Sequence, residues 1–479
     1  MNIAIILVIL LVGVIVTYCS GNRFASKVAM IFGIAAAVFS VALLLQYLGG
    51  GDISFSTPWI SKPSISFSLH ADGLGMTMLM MTTIVLPIIL LSSVSEKLKN
   101  EKAFYSLVLL TVFAVVGVFL SSNALLYYVF WEMSLIPIYF IIIYWGNGDA
   151  EKRKKATLTF FIYTFAGSMF MLAALIYLYT KVGSLELYDL YNANLTSKEQ
   201  LWIFLAFLLA YAIKIPIFPF HTWQADVYEK APTVGTMLLA GLMSKMGLYS
   251  VIRWQLPITP DAAKEMQTIV LILCIIGVVY GSIIALKQTN LKRLFAFASL
   301  AHVGFVAAGI YTLNFDGLEG AVFLIVAHSF GIVGLFFAAE IINRRCNTLV
   351  IKELGGIRNL ASRFSMGFFL MVLASIAIPL SFNFLGEFTI MYGLYQVNIW
   401  YTIFIGTSMF LGAFFMLRMY QQVMLGEPKK NATFVDLTCS ESLVFAIITA
   451  IILFFGVYAT PIVDMVDSGL HEIVGYINR

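Results

Sequence analysis

Six titratable side chains stand inside apolar runs of this sequence: Glu132 in YYVFWEMSLIPIYF, Lys214 in YAIKIPIFPFHTW, Lys245 in GLMSKMGLYS, His302 in SLAHVGF, His328 in VAHSFG and Glu387 in SFNFLGEFTIMYG. An ionisable group at the centre of a bilayer costs about 2.5 kcal/mol or more, so it persists where it pairs, binds or moves a proton. Carboxylate, lysine and imidazole together suit proton transfer, because each holds a proton and each responds to a neighbouring charge. A carboxylate beside a buried lysine stabilises the charged amine; its withdrawal leaves desolvation to dominate, and the proton departs. At an effective dielectric near 20, two unit charges about 4 Å apart interact by about 4 kcal/mol. Moving one charge against 100 mV costs about 2.3 kcal/mol, so a pair that opens and closes is a sufficient switch.

Other features have simpler readings. Arg418 lies near a helix end, where a long side chain snorkels to the interface. Asp72 precedes a helix start and is expected to cap it. The glycine pair in GLGM, residues 73–76, follows no strand, so it does not read as a phosphate loop. Cys19, Cys274, Cys346 and Cys439 are far apart in sequence and lack CxxC spacing, which argues against a disulfide framework, a metal site or an iron–sulfur site. No serine, cysteine or histidine sits in a nucleophile motif, so no covalent catalytic residue is assigned.

The elements that hold the six groups are expected to be membrane helices. The chain is 61% hydrophobic and 11% charged, with a mean hydropathy of +0.93, and apolar runs of about 20 residues recur from end to end. Strict period-two alternation is not sustained, so the fold class is an all-α polytopic membrane protein. Breaks at charge clusters and Gly/Pro turns give about fourteen spans. With the N-terminus outside, the inner loops collect Arg23, Lys27, Lys97, Lys99, Lys102, the run Lys152 to Lys155, Lys230, Lys287, Lys292, Arg293, Arg344, Arg345, Lys352, Arg358, Arg363, Lys429 and Lys430. The other side receives Lys62, Lys181, Lys198, Arg253, Lys264 and Arg479, leaving Lys214, Lys245 and Arg418 within spans. Both termini are therefore expected to be periplasmic, in a bacterial cytoplasmic membrane. The first span has no cleavage site after it and is read as retained.

Two spans must be interrupted. Pro216 and Pro219 follow Lys214, and Pro379 precedes Ser381, Asn383 and Glu387. A mid-helix proline removes a hydrogen bond and clashes with the preceding turn. Unwound backbone is tolerated in a membrane only beside water or protein partners, so each break predicts a hydrated cavity next to an ionisable group. Broken helices at corresponding places indicate two inverted five-helix repeats. Residues 1–102 then form spans 1–3, 103–253 the first repeat (spans 4–8), 266–425 the second (spans 9–13) and 440–479 a C-terminal span. Glu387 is expected on the outward segment of its broken helix, about six residues from the outer boundary, where a carboxylate can exchange its proton with outside water while still facing the histidines.

The segments FWEMSLIPIYF, AIKIPIFPFHTW, APTVGTMLLAGLMSKMGLY, SLAHVGF and AHSFGIVGLFF resemble, in order and over nearly the whole chain, the antiporter-like subunits shared by respiratory complex I and the multi-subunit Mrp-type cation/proton antiporters. The resemblance implies proton translocation, with Glu132 as modulator of Lys214, Lys245 as the connecting lysine, His302 and His328 as the relay and Glu387 as the terminal group. Family members with glutamate at the last position belong to complex I, whereas lysine is commoner in the paralogues. His221 and Asp226 match residues at which proton uptake is expected, in a loop that reads HTWQADVY where the family commonly has HTWLPDAH; Tyr228 departs from the histidine there and receives no role. The implied partners are other complex I membrane subunits, including L-type and N-type paralogues, and the lipid bilayer, with no nucleic acid. NAD, FMN, iron–sulfur clusters and quinone are expected in partner subunits and not in this chain. The alternative is a subunit of an Mrp-type sodium/proton antiporter.

Overall fold

The computed structural model describes residues 1–61, 65–94, 98–429 and 433–478. Lys62, Lys97, Lys430 and Arg479 of the charge pattern lie outside the described residues. The described chain is mostly helix, with 11 helices long and apolar enough to cross a membrane. Two shorter apolar helices, Ala4–Cys19 and Ser362–Ser375, accompany them. The apolar windows of Thr233–Ile258 and Phe315–Cys346 are buried along their whole length, and these two helices carry Lys245 and His328.

The chain divides into two compact units. The first comprises Met1–Ile215, Leu242–Met266 and Ile462–Arg479, and the second Pro216–Gly241 and Gln267–Pro461.

In the first unit, the segment between the helices Asn22–Leu48 and Gly73–Ser92 is a two-stranded antiparallel hairpin, Ser54–Ile60 with Ile65–His70. The all-α expectation missed it, and the GLGM glycines, read as following no strand, in fact follow Ile65–His70. The tetrapeptide ISFS leads into the first strand at residues 53–56 and opens the second at 65–68, and β-branched and aromatic residues alternating with small polar ones fit a half-buried pleat. Asp72 follows the hairpin and caps Gly73–Ser92, accepting from the Gly75 N–H at 2.9 Å. Its other carboxylate oxygen binds Arg253 at 2.6 Å. Arg253, expected in an outer loop, is 4% exposed and sits inside the Thr233–Ile258 helix; the ion pair with Asp72 makes this burial possible. Segment 440–479, expected as one span, contains two helices: Cys439–Val457 belongs to the second unit, and Thr460–Ile477 lies almost wholly in the first. The latter helix buries Ile462, Met465, Val466, Gly469, Leu470, Ile473 and Ile477, the three-and-four spacing of an amphipathic helix.

In the second unit, Phe315–Cys346 packs closely on Phe382–Val397. A Cβ added to Gly386 would stand 2.8 Å from the Leu324 nitrogen, and one on Gly320 2.6 Å from that of Ile390. Only glycine permits this approach, which draws the Glu387 turn onto the helix that carries His328.

Candidate functional site

Both predicted interruptions exist. Helix Ser197–Lys214 ends at the lysine itself, and residues 215–223 form turns before the short helix Gln224–Lys230. In the second unit, Ser362–Ser375 stops short of Pro379, Ala377 and Leu380 take positive φ of 52° and 76°, and Phe382–Val397 starts anew with Ser381 capping it. Positive φ at two non-glycine residues is strained backbone, which only strong surroundings maintain.

Within the first unit, Lys214 is 4% exposed. Its Nζ donates to the Ser134 hydroxyl at 3.4 Å and lies 5.3 Å from the Trp131 ring centroid. Glu132, half-buried, belongs to the same turn as these two residues, yet no Glu132–Lys214 ion pair closes within 4.0 Å among the described residues. The amine therefore rests on a hydroxyl and a π-face, with the carboxylate withdrawn. Gly247 lets the Lys245 helix approach the break: a Cβ there would meet Ile215 at 2.5 Å. Lys245 is 1% exposed, and its Nζ reaches the Ser244 hydroxyl at 3.2 Å. Two π-helical turns, Leu239–Met243 and Val251–Gln255, bracket it, a distortion common at functional sites. A further polar cluster, unrecognised in the sequence, has the Tyr127 hydroxyl donating to Ser250 at 2.7 Å and lying 3.2 Å from the Tyr211 hydroxyl.

Within the second unit, three of the expected groups meet. His302 Nε2 lies 3.5 Å from Glu387 Oε1 and 3.0 Å from the Ser375 carbonyl, while its Nδ1 is 2.8 Å from the Ala298 carbonyl. The His328 ring is 5.4 Å from that of His302. Ser375 is the last helical residue before the break, so the interrupted helix presents its unpaired carbonyl to the imidazole. A cavity of about 30 Å³, bounded by His302, Ser375, Glu387, Ser282, Ser408 and Phe415, adjoins the group. That volume holds a water molecule or two. Glu387 is 5% exposed, and its helix continues ten residues further to Val397. The carboxylate is thus buried facing the histidines, and the helix beyond it is longer than the roughly six residues expected from the sequence.

The two residues matched to proton uptake are held differently. His221 is buried, its ring 5.6 Å from that of Phe218 and 5.1 Å from that of Tyr280. Asp226 is exposed and bound by Arg293 at 2.7 Å. Arg293 also binds Glu229 at 2.8 Å. Burial would raise the Glu229 carboxyl, but hydrogen bonds from Lys230 and Arg293 hold it below the usual range. Tyr228 is 1% exposed. Among the described residues no group of His, Cys, Asp and Glu has metal-binding geometry, and all four cysteines are free.

Residues 121–412 match the family model described as NADH:quinone oxidoreductase/Mrp antiporter, TM. A relative named NADH-quinone oxidoreductase subunit M, from Rickettsia prowazekii, is 33% identical over 99% of this chain and 98% of its own. One named NADH-ubiquinone oxidoreductase chain 4, from Metridium senile, is 34% identical over 86% of this chain and 85% of its own. Among solved structures, a chain of respiratory complex I from Thermus thermophilus superposes with a TM-score of 0.91 at 24% identity, covering 99% of both chains. A chain of the Mrp complex from Dietzia gives 0.84 at 17% identity, again over 99% of both; these two matches speak for the fold. The chain belongs to the family of antiporter-like membrane subunits shared by NADH:quinone oxidoreductase and the Mrp antiporters.

Proposed function

We infer that this chain is the M-type, proton-translocating membrane subunit of a bacterial respiratory complex I, in which electron transfer from NADH to quinone in partner subunits drives proton movement through the buried Glu, Lys and His groups. The observation that carries this reading is Glu387 buried 3.5 Å from His302 beside a water-sized cavity. A carboxyl group held among imidazoles can pass a proton over hydrogen-bonding distance, directly or through one water. Full-length similarity to subunit M relatives supports the same reading, whereas likeness to the Mrp complex rests on fold.

Glu132 serves as the switch. In the open arrangement the Lys214 amine rests on Ser134 and Trp131, and approach of the carboxylate would supply the few kcal/mol that retain its charge. Lys245 takes the proton onward, His302 and His328 relay it, and Glu387 releases it. His221 and Asp226 mark the uptake side. About fourteen spans, arranged as inverted repeats 4–8 and 9–13, would place a broken helix at the same position in each repeat, which the two interruptions support. Both termini then face the periplasm, and NAD, FMN, iron–sulfur clusters and quinone reside in partner subunits next to L-type and N-type paralogues.

The test is NADH-driven proton uptake by inverted vesicles, normalised to assembled complex, with Lys245→Met. Uptake should fall at least about tenfold with assembly intact, since a neutral thioether holds no proton. Wild-type uptake would sink the relay. Sodium-dependent proton exchange that persists without NADH would favour the Mrp reading instead.

A further inference from the structure

Within the second unit, the end of helix Pro260–Leu286 and the turn after it meet the turn Ile351–Glu353 and the last turns of helix Ile399–Met424 around a cavity of about 220 Å³. Three cations line it: Lys287, Lys352 and Arg418. Gln288, Thr289 and Gln422 add hydrogen-bonding groups, and no aspartate or glutamate is present. All three cations are exposed, and none has a carboxylate within 4.0 Å among the described residues. In the same unit Arg293 is paired with Asp226 and Glu229, and Arg344 and Arg345 with Glu441 at 2.8 and 2.5 Å. Three like charges converging on one concavity repel one another, and an anion between them relieves that repulsion.

The surroundings decide which anion. Ile283 lies one turn before Lys287 on its helix, and Phe414 and Leu417 lie on the turn before and next to Arg418 on theirs. They are 44%, 57% and 41% exposed, so the basic pocket opens onto an apolar face of the same two helices. A soluble anion has no use for that face, whereas a phospholipid places its phosphate among the cations and its chains along the apolar residues. We propose that this pocket binds the headgroup of an anionic phospholipid, with Lys287, Lys352 and Arg418 holding the phosphate and Ile283, Phe414 and Leu417 contacting the acyl chains. Phe415 lines both this pocket and the cavity beside His302 and Glu387. A bound lipid therefore braces the helix that walls the relay cavity. The site is independent of the proton assignments and stands or falls separately.

The experiment uses the assembled complex, delipidated in detergent and reloaded with photoreactive phosphatidylglycerol, with crosslinked peptides mapped by mass spectrometry. Crosslinks should fall on residues 283–289 and 414–422, and phosphatidylethanolamine should compete poorly. The triple variant K287Q/K352Q/R418Q should weaken labelling on the order of 100-fold, corresponding to about 1 kcal/mol per cation. Should the triple variant fail to assemble, Lys352→Gln alone tests the site, with a several-fold loss expected. F414S/L417S should also lower labelling while leaving every cation in place. Unchanged labelling in the charge variants overturns the proposal. So does displacement by millimolar inorganic phosphate combined with indifference to F414S/L417S, which would identify a site for a soluble anion.

Discussion

The two broken helices solve the same problem with opposite charges. At the first, a lysine ends its helix and is surrounded by neutral partners, the Ser134 hydroxyl and the Trp131 ring, while Glu132 stays out of contact. At the second, a glutamate sits on the restarted helix and meets a histidine at 3.5 Å, with a second histidine ring behind it. A lone cation can be cradled by lone pairs and a π-face, whereas a lone carboxylate needs donors. The first site is consequently a place where a charge can be switched by one approaching residue. The second packs a carboxylate, two imidazoles and a helix-end carbonyl together, so a change in one group is met by the others.

The largest test of that contrast is Glu387→Gln. The amide keeps size and hydrogen bonding but cannot exchange a proton, so NADH-driven proton uptake and quinone reductase activity should both fall at least about tenfold, since the coupled machine stalls at a blocked outlet. Glu387→Lys should restore a measurable fraction, because the second site then resembles the first. Wild-type pumping in the Gln variant would remove Glu387 from the path.

Glu132→Gln should act more gently on structure and almost as strongly on function. Glu132 makes no ion pair among the described residues, so assembly should match the wild type, while uptake falls several-fold because Lys214 loses its switch. Reduced assembly with normal uptake per complex would make Glu132 a tie between helices and erase the difference between the two sites.

Much of this arrangement was legible in the sequence, for reasons that also explain what was not. Pro216, Pro219 and Pro379 declare their breaks because proline cannot continue a helix. The buried ionisable residues stand out because burial is expensive. The hairpin at 54–70 was hidden by the surrounding hydropathy, and Thr460–Ile477 was merged with its predecessor because an average over a window erases an amphipathic face. Arg253 misled the charge pattern: its partner, Asp72, lies 181 positions earlier, and an ion pair across that distance leaves no local trace. The Ser375 carbonyl beside His302 was equally invisible, since every residue has one.

The Asp72–Arg253 pair is the next test, now of stability. Removing one partner of a buried pair leaves the other charge uncompensated at a cost of about 3–5 kcal/mol. Asp72→Ala should lower the thermal midpoint of the assembled complex and its yield. Burial works against the Asp72 charge, but Arg253, the Gly75 N–H and His70 together hold the carboxyl below its ordinary 3.8. A depressed carboxyl contributes stability that is complete above the unfolded value and lost as pH falls through the folded one, so the wild type should show no loss from this pair between about pH 5 and 8. A midpoint unchanged by the substitution would mean that Arg253 finds another partner.

The smallest effect belongs to Asp436, the second unit's counterpart of the Asp72 cap. Its carboxylate comes from a segment 72 positions away from the helix start it serves, and accepts from the Phe364 N–H at 2.9 Å and the Arg363 N–H at 3.1 Å. It also accepts from the Leu437 N–H at 2.8 Å. Helix Ser362–Ser375 has no side-chain cap of its own, so this remote carboxylate satisfies the amides that a local Ser or Asp would otherwise take. Burial opposes the charge, but the three amides, with Arg363, together hold the carboxyl below its ordinary value of 3.8. The group is largely solvated and pairs with amides instead of a buried guanidinium, so Asp436→Ala should cost about 1 kcal/mol, well short of the Asp72 change. The sign with pH is the same: the contribution is present above the unfolded value and fades as pH falls below about 4. Hydrogen exchange at the amides of residues 363 and 364 reads the effect directly. Faster exchange there, with the Glu387 helix unchanged, is expected; equal protection in variant and wild type would show that solvent caps this helix as well as Asp436 does.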